Sequence, residues 1–199
     1  MSEPSDSPSS HNATKTGERA ASFGLGGRTL ALVGLMGSGK TTVGRRLAAQ
    51  LGLPFRDADA EIEQAAGRSV SDIFADLGEP EFRAGEHRVI ARLLAEGPLV
   101  LATGGGAYMH AETRRLLREK AVTVWLKVDI EVLAKRVARR DTRPLLRGKD
   151  PAQVLSAQAE ARYPLYAEAD IVVETPDTAH DAAVERVLQA LRARLETVS

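Results

Sequence analysis

Thr29-Leu-Ala-Leu-Val33-Gly34-Leu-Met-Gly37-Ser38-Gly39-Lys40-Thr41 is the stretch whose reading decides the fold. A short apolar run of strand length meets the pattern G-x-x-x-x-G-K-[ST] without a break, and the residues after Lys40 open a helix. Gly34, Gly37 and Gly39 let the backbone curl so that successive N–H groups point inward, while the helix start adds its positive dipole end. Such a loop cradles phosphates. Lys40 can reach the β and γ oxygens, Thr41 is placed to ligate Mg²⁺, and Ser38 and Thr42 flank the same cradle. A glycine-rich turn without a ligand matches the four defined positions by chance in roughly one chain of this length per hundred, so ATP with Mg²⁺ is the expected ligand. The acceptor stays open at this point: a hydroxyl makes a kinase, water an NTPase or switch.

Outward from this loop the chain alternates apolar runs, glycine-rich turns and amphipathic stretches, the pattern of an α/β domain. Strands are expected at 29–33, 53–57, 99–102, 122–128 and 171–174. Phe82, Val89, Ile90 and Leu93 share one helical face, as do Val184, Val187, Leu188, Leu191 and Leu195. Right-handed crossovers then give a parallel sheet covered on both sides, with ligands at the carboxyl ends of its strands. Residues 1–27 are polar and rich in serine, proline and glycine, and read as a disordered tail before a single domain at 28–199.

Composition removes other classes. The 27 basic and 27 acidic residues balance, giving no global attraction to nucleic acid or an anionic membrane. The chain has no cysteine, which excludes disulfides, thiolate metal sites and cysteine nucleophiles and fits the cytoplasm. No apolar run reaches the ~18 residues of a membrane span, and the start lacks a secretory pattern. Glu3, Asp6 and Glu18 weigh against a transit peptide. The scattered histidines, His87 and His110 among them, read as structural or solvated.

A second set of residues follows the other strands. Asp57 and Asp59 stand at a strand end, where one could face the metal and the other an acceptor hydroxyl; the competing reading makes Asp59 a helix N-cap. Arg83 and Glu86 are helical neighbours, either a solvated surface pair or, through the planar fork of arginine, a clamp for a carboxylate. Gly104-Gly105-Gly106 at a strand's carboxyl end implies a close approach, most economically by ligand. The basic run from Arg136 through Arg139, Arg140, Arg143 and Arg147 calls for an anion, and the segment at about 137–150 reads as a mobile lid that excludes water, with Arg139 and Arg140 equally explained by a helix end. Arg162 precedes Tyr163-Pro164, where the proline should end or kink a helix and aim the guanidinium inward.

In their order and spacing, GLMGSGKTTVGRRLA, DAD, IFADLGEPEFRAGE, TGGGA, DTRPLL and ARYPLY resemble the shikimate kinases over residues 29–195. The resemblance implies a three-layer P-loop kinase fold with a five-stranded parallel sheet and a mobile lid, acting alone as a monomer on ATP, Mg²⁺ and shikimate, whose 3-hydroxyl accepts the γ-phosphoryl group. It further implies Lys40 and Thr41 as phosphate lysine and magnesium hydroxyl, Asp57 near Mg²⁺, and Asp59, Arg83, Gly104, Gly105, Gly106 and Arg162 as the shikimate set. In that set Asp59 meets ring hydroxyls and the two arginines hold the carboxylate. Arg143 resembles the lid arginine, Arg136 the arginine packed on adenine, Phe82 the aromatic beside the substrate ring, and Glu86 a residue that orients its neighbours. The loop around 175–178 has no firm match, and threonine replaces the serine of many relatives at position 41. Two rivals stand beside this reading: another small-molecule kinase, for gluconate or a nucleotide, and a nucleotide-gated interaction module using the tail.

Overall fold

A computed structural model of the chain describes Phe23 and residues 25–138, 150–175 and 180–198. The expected tail, except Phe23 and residues 25–27, and the basic segment with Arg139, Arg140, Arg143 and Arg147 lie outside the described residues. The elements run β1 (Thr29–Val33), α1 (Lys40–Leu51), β2 (Phe55–Asp57), α2 (Ala58–Ala66), α3 (Val70–Ala95), β3 (Val100–Ala102), a 3₁₀ turn (Ala107–Met109), α4 (Ala111–Lys120), β4 (Ala121–Val128), α5 (Ile130–Ala138), α6 (Pro151–Tyr166), β5 (Ile171–Thr175) and α7 (His180–Val198). All strands pair in parallel in the order β2-β3-β1-β4-β5, so the expected five-stranded sheet is present. The second strand is shorter than the 53–57 read from sequence, because the Leu53 amide is bound to the Ala48 carbonyl oxygen of α1 and its side chain is buried in the core, so the ladder starts at Phe55.

Alternation along the central strand assigns the two faces. Leu30 and Leu32 join Leu47 and Leu51 of α1 and Val184, Val187, Leu188 and Leu191 of α7 in one core. Ala31 and Val33 point the other way, to Ile90 and Leu93 of α3, Leu117 of α4 and Leu155 and Tyr166 of α6. The side chain of Leu195 lies outside the described set. Because β1 sits between β3 and β4 while the chain passes next to β2, the carboxyl end of β1 is a topological switch point, where open parallel sheets leave a crevice. The register sets Leu32 beside Ala102 and Ala102 beside Asp57, so three strand ends are level at that crevice.

Candidate active site

The loop after β1 has the geometry its glycines require. Gly34, Gly37 and Gly39 have φ of 141°, 80° and 90°, a region closed to most side chains. Gly39 caps α1 in this conformation with no side-chain acceptor, leaving the first N–H groups of the helix directed into the loop. Added side chains would also collide: a Cβ at Gly34 would stand 2.8 Å from the Leu126 carbonyl oxygen, and one at Gly37 2.9 Å from Val137 of α5. The Lys40 ammonium lies across the loop, donating to the carbonyl oxygens of Gly34 at 2.8 Å and Leu35 at 2.9 Å. Thr42 is half-buried in the first turn of α1, and Ser38 is buried beneath the loop.

Asp57, rather than Asp59, caps α2. One of its carboxylate oxygens accepts the Asp59 amide at 3.2 Å, and the other accepts the Thr41 hydroxyl at 2.7 Å. Asp59 falls in the first helical turn, so the reading of Asp59 as cap is corrected: β2 ends at Asp57 and the helix begins at once at Ala58, which leaves the extended Asp57 as the capping residue. The Asp59 carboxylate faces the loop after β3.

That loop is the hub of the site. A Cβ at Gly104 would lie 2.6 Å from Glu86 Oε1 and 2.8 Å from Asp59 Oδ1; at Gly106 it would lie 2.5 Å from Arg83 Cζ. At Gly105 it would be 3.6 Å from Arg162 Nη1 and 3.7 Å from the Gly34 carbonyl oxygen of the phosphate loop. None of the three has positive φ, so these glycines are required by crowding and not by backbone conformation. The close approach expected from sequence is real, but the approaching groups are the protein's own carboxylates and guanidinium.

Arg83 and Glu86 sit on the second part of α3. Gly78, at φ 78° and ψ 174°, breaks the helix, and Pro80 restarts it, so 81–86 does open a helical segment as read from sequence. The Arg83–Glu86 pair is withdrawn from solvent: Glu86 is buried at 1% exposed, Arg83 is largely covered, and the two are joined by a short hydrogen bond from Nη1 to Oε2. The solvated-pair reading is thereby corrected. Burial pushes the Glu86 carboxyl above its usual range, with Arg83 opposing the shift and Asp59 adding to it. Its Oε1 is buried with no hydrogen-bond partner. Phe82 is also buried; its ring and that of Phe74 lie 4.7 Å apart and back the Arg83 guanidinium at 5.0 and 5.6 Å.

Arg162 approaches from the last turns of α6, where Pro164 precedes the helix end at Tyr166. Its Nη1 donates to the Gly105 carbonyl oxygen at 3.2 Å, and the buried Tyr166 hydroxyl donates to the same oxygen. Burial pushes the Tyr166 hydroxyl up to about 12. Tyr166 is a contact that sequence reading missed, since a tyrosine before a helix end carries no signal of what its hydroxyl meets. Arg136 is half-buried on α5 beside Val137, and the His180 ring packs on the opposite flank of the loop, 3.3 Å from where a Gly39 Cβ would lie. Asp59, Arg83, the three glycines and Arg162 therefore converge beside the phosphate loop, while Arg143 lies outside the described residues.

Comparisons with known proteins agree with this geometry. The shikimate kinase family model matches residues 36–192. The chain is 68% identical over 168 residues to a shikimate kinase of Caulobacter vibrioides, covering 84% of each, and 53% identical over 189 residues to one of Nitrobacter winogradskyi, covering 95% of this chain and 87% of the relative. Among solved structures, shikimate kinase from Acinetobacter baumannii in complex with shikimate matches with a TM-score of 0.80 at 40% identity, over 84% of this chain and 94% of that one. A gluconokinase from Sinorhizobium meliloti, at 22% identity and a TM-score of 0.59, shares the fold.

Proposed function

Because the chain belongs to the shikimate kinase family, we propose that it transfers the γ-phosphoryl group of ATP to the 3-hydroxyl of shikimate, giving shikimate 3-phosphate and ADP. The observation that carries this reading is the convergence of the Asp59 carboxylate and two guanidinium groups on Gly104 to Gly106, against the rim of the phosphate loop.

In this reading Arg83 and Arg162 hold the substrate carboxylate. Arg83 is locked by Glu86 and two phenylalanine rings, and Arg162 by the Gly105 carbonyl, so each fork loses little freedom on binding. Asp59 accepts the reacting hydroxyl, orients it, and takes its proton as the O–P bond forms. Lys40 exchanges its two loop carbonyls for phosphate oxygens and, with the loop N–H groups, stabilises the charge of the transferring group. The Thr41 hydroxyl and Asp57 carboxylate, 2.7 Å apart, are hard oxygen donors that suit Mg²⁺. Bound there, the ion would neutralise phosphate charge. Arg136 is assigned to adenine and Arg143 to a lid over the phosphates. The enzyme is assigned to the cytoplasm, acting as a monomer on a small molecule; among the described residues no helix is long and apolar enough to cross a membrane.

A coupled ADP-release assay with shikimate tests the proposal. Wild type should turn over, and Lys40→Ala, Asp59→Asn and Arg162→Ala should each lose about 100-fold or more in kcat/KM. Shikimate-dependent turnover surviving in both Asp59→Asn and Arg162→Ala would remove the acceptor half of the assignment. Faster ADP release with gluconate would replace the acceptor.

A further inference from the structure

Behind the triglycine loop, two histidines share one buried hydroxyl. Thr113, fully buried on α4, has its Oγ1 3.1 Å from His87 Nδ1 and 3.1 Å from His110 Nδ1. The Thr113 amide donates to His110 Nδ1 at 3.4 Å, so His110 is the side-chain N-cap of α4. The two rings lie 5.6 Å apart.

A hydroxyl has one proton to give, and this fixes the direction of the bonds. Since His110 Nδ1 accepts the amide, it bears no proton. The Thr113 hydroxyl must then donate to it, and His87 Nδ1–H must donate to Thr113. The reverse arrangement puts an N–H of His110 against the Thr113 amide N–H and loses the cap, and a doubly protonated ring would also place a cation at a helix N-terminus. With both rings charged, three protons crowd one oxygen.

This relay joins the two halves of the acceptor pocket. His87 directly follows Glu86 on α3, the segment that carries Arg83. His110 is wired to the triglycine loop through Ala107 N to Gly104 O at 3.2 Å, Met109 N to Gly106 O at 3.0 Å and His110 N to Ala107 O at 3.3 Å. We propose that His87 and His110, joined through Thr113, are positioning residues that hold α3 against the triglycine loop, and that they do so only while His110 Nδ1 is unprotonated. Shikimate then binds more weakly in mildly acid solution, an inference that rests on the acceptor assigned above. The charged groups around the pair leave this balance in place. Glu112 of α4 faces both rings, is exposed and is bound to Arg115 at 3.0 Å, which is the main cause of its lowered carboxyl pKa. Arg114 of α4 is engaged by the Tyr108 and Met109 carbonyl oxygens, and Glu86 of α3 is turned toward Arg83.

KM values for shikimate and for ATP, measured from about pH 7.5 to 5.5, test this on wild type, His110→Asn and Thr113→Val. Asparagine supplies a strong N-cap acceptor without a titrating ring. Wild type should show the shikimate KM rising about fivefold toward acid while the ATP KM stays within about twofold. His110→Asn should hold its neutral-pH shikimate KM throughout, and Thr113→Val should show a raised KM without a pH step. Asp59 and Glu86 remain in every variant, so only the difference between variants counts. An acid rise in His110→Asn equal to that of wild type, or a wild-type KM and pH step in Thr113→Val, overturns the inference. A wild type that turns over ATP only with a different acceptor overturns the shikimate assignment instead, and the same pH comparison is then decided with that acceptor.

Discussion

Replacing Gly106 with alanine isolates crowding from backbone strain. Gly106 has φ −103° and ψ −7°, a conformation alanine adopts without cost, so any effect must come from the added methyl. That methyl would stand 2.5 Å from Arg83 Cζ and 3.0 Å from its Nη1. Carbon atoms at rest keep ~3.5 Å or more, so the guanidinium must retreat by about 1 Å. It cannot do so freely, because Glu86 holds one edge and the Phe74 and Phe82 rings stand behind it. A displacement of this size in a binding group costs about 100-fold, and the loss should appear in kcat/KM for shikimate with the ATP KM within about twofold of wild type. Steady-state kinetics at fixed saturating ATP, with thermal denaturation as the control for folding, reads it out. A folded Gly106→Ala enzyme with kcat/KM for shikimate within about twofold of wild type would refute both the placement of Arg83 and its assigned role.

Two further outcomes follow from the buried groups around the same loop. Tyr166→Phe removes one of the two donors to the Gly105 carbonyl oxygen and should cost about 1 kcal/mol of stability in denaturant unfolding; because the hydroxyl is pushed up to about 12, stability from keeping it neutral is lost only as the solution passes from about 10 toward that value, and wild type and variant should share one pH–stability profile below about pH 9. Glu86→Gln mimics the neutral acid: a folded-state pKa raised above 4.5 means that stability is fully present below that value and lost as pH rises through the raised one, so the melting temperature of the variant relative to wild type should move in its favour between about pH 4 and 8, and a difference that is flat or moves the other way refutes burial as the dominant influence on Glu86.

The fold was legible because each of its determinants is local. A strand-length apolar run, a glycine-rich loop and an amphipathic helix repeat along the chain, and the observed strands fall on the expected runs, with the trimmed β2 as the main difference. The phosphate loop was legible for the same reason: its chemistry is contiguous, and positive φ at Gly34, Gly37 and Gly39 follows from the residue type. The acceptor half was legible only in part. Arg83 and Glu86, three apart on a helix, signal a pair, but whether the pair is wet or buried depends on what Gly104 to Gly106 allow to approach, and those residues lie on another strand. Asp59 reads as a helix cap because it precedes Ala60-Glu61-Ile62, but α2 already begins at Ala58, directly after the strand, and that start is not marked in the residue pattern.

The two glycine clusters at this site also separate two reasons for the residue. In the phosphate loop glycine is needed for torsion angles, and alanine would strain the chain even where space exists. In Gly104 to Gly106 no φ is positive, and glycine is needed because an oxygen pair and a guanidinium occupy the volume of a side chain. The first kind of constraint is carried by the chain segment itself and can be read from a motif. The second is carried by packing partners 18 to 57 positions away, Glu86 and Arg83 before the loop and Arg162 after it, and three glycines in sequence show only that something comes close. Substitutions should therefore fail differently in the two clusters. Alanine at Gly37 acts on the backbone and should lower stability and nucleotide binding together, whereas alanine at Gly106 acts through Arg83 and should leave the nucleotide half intact.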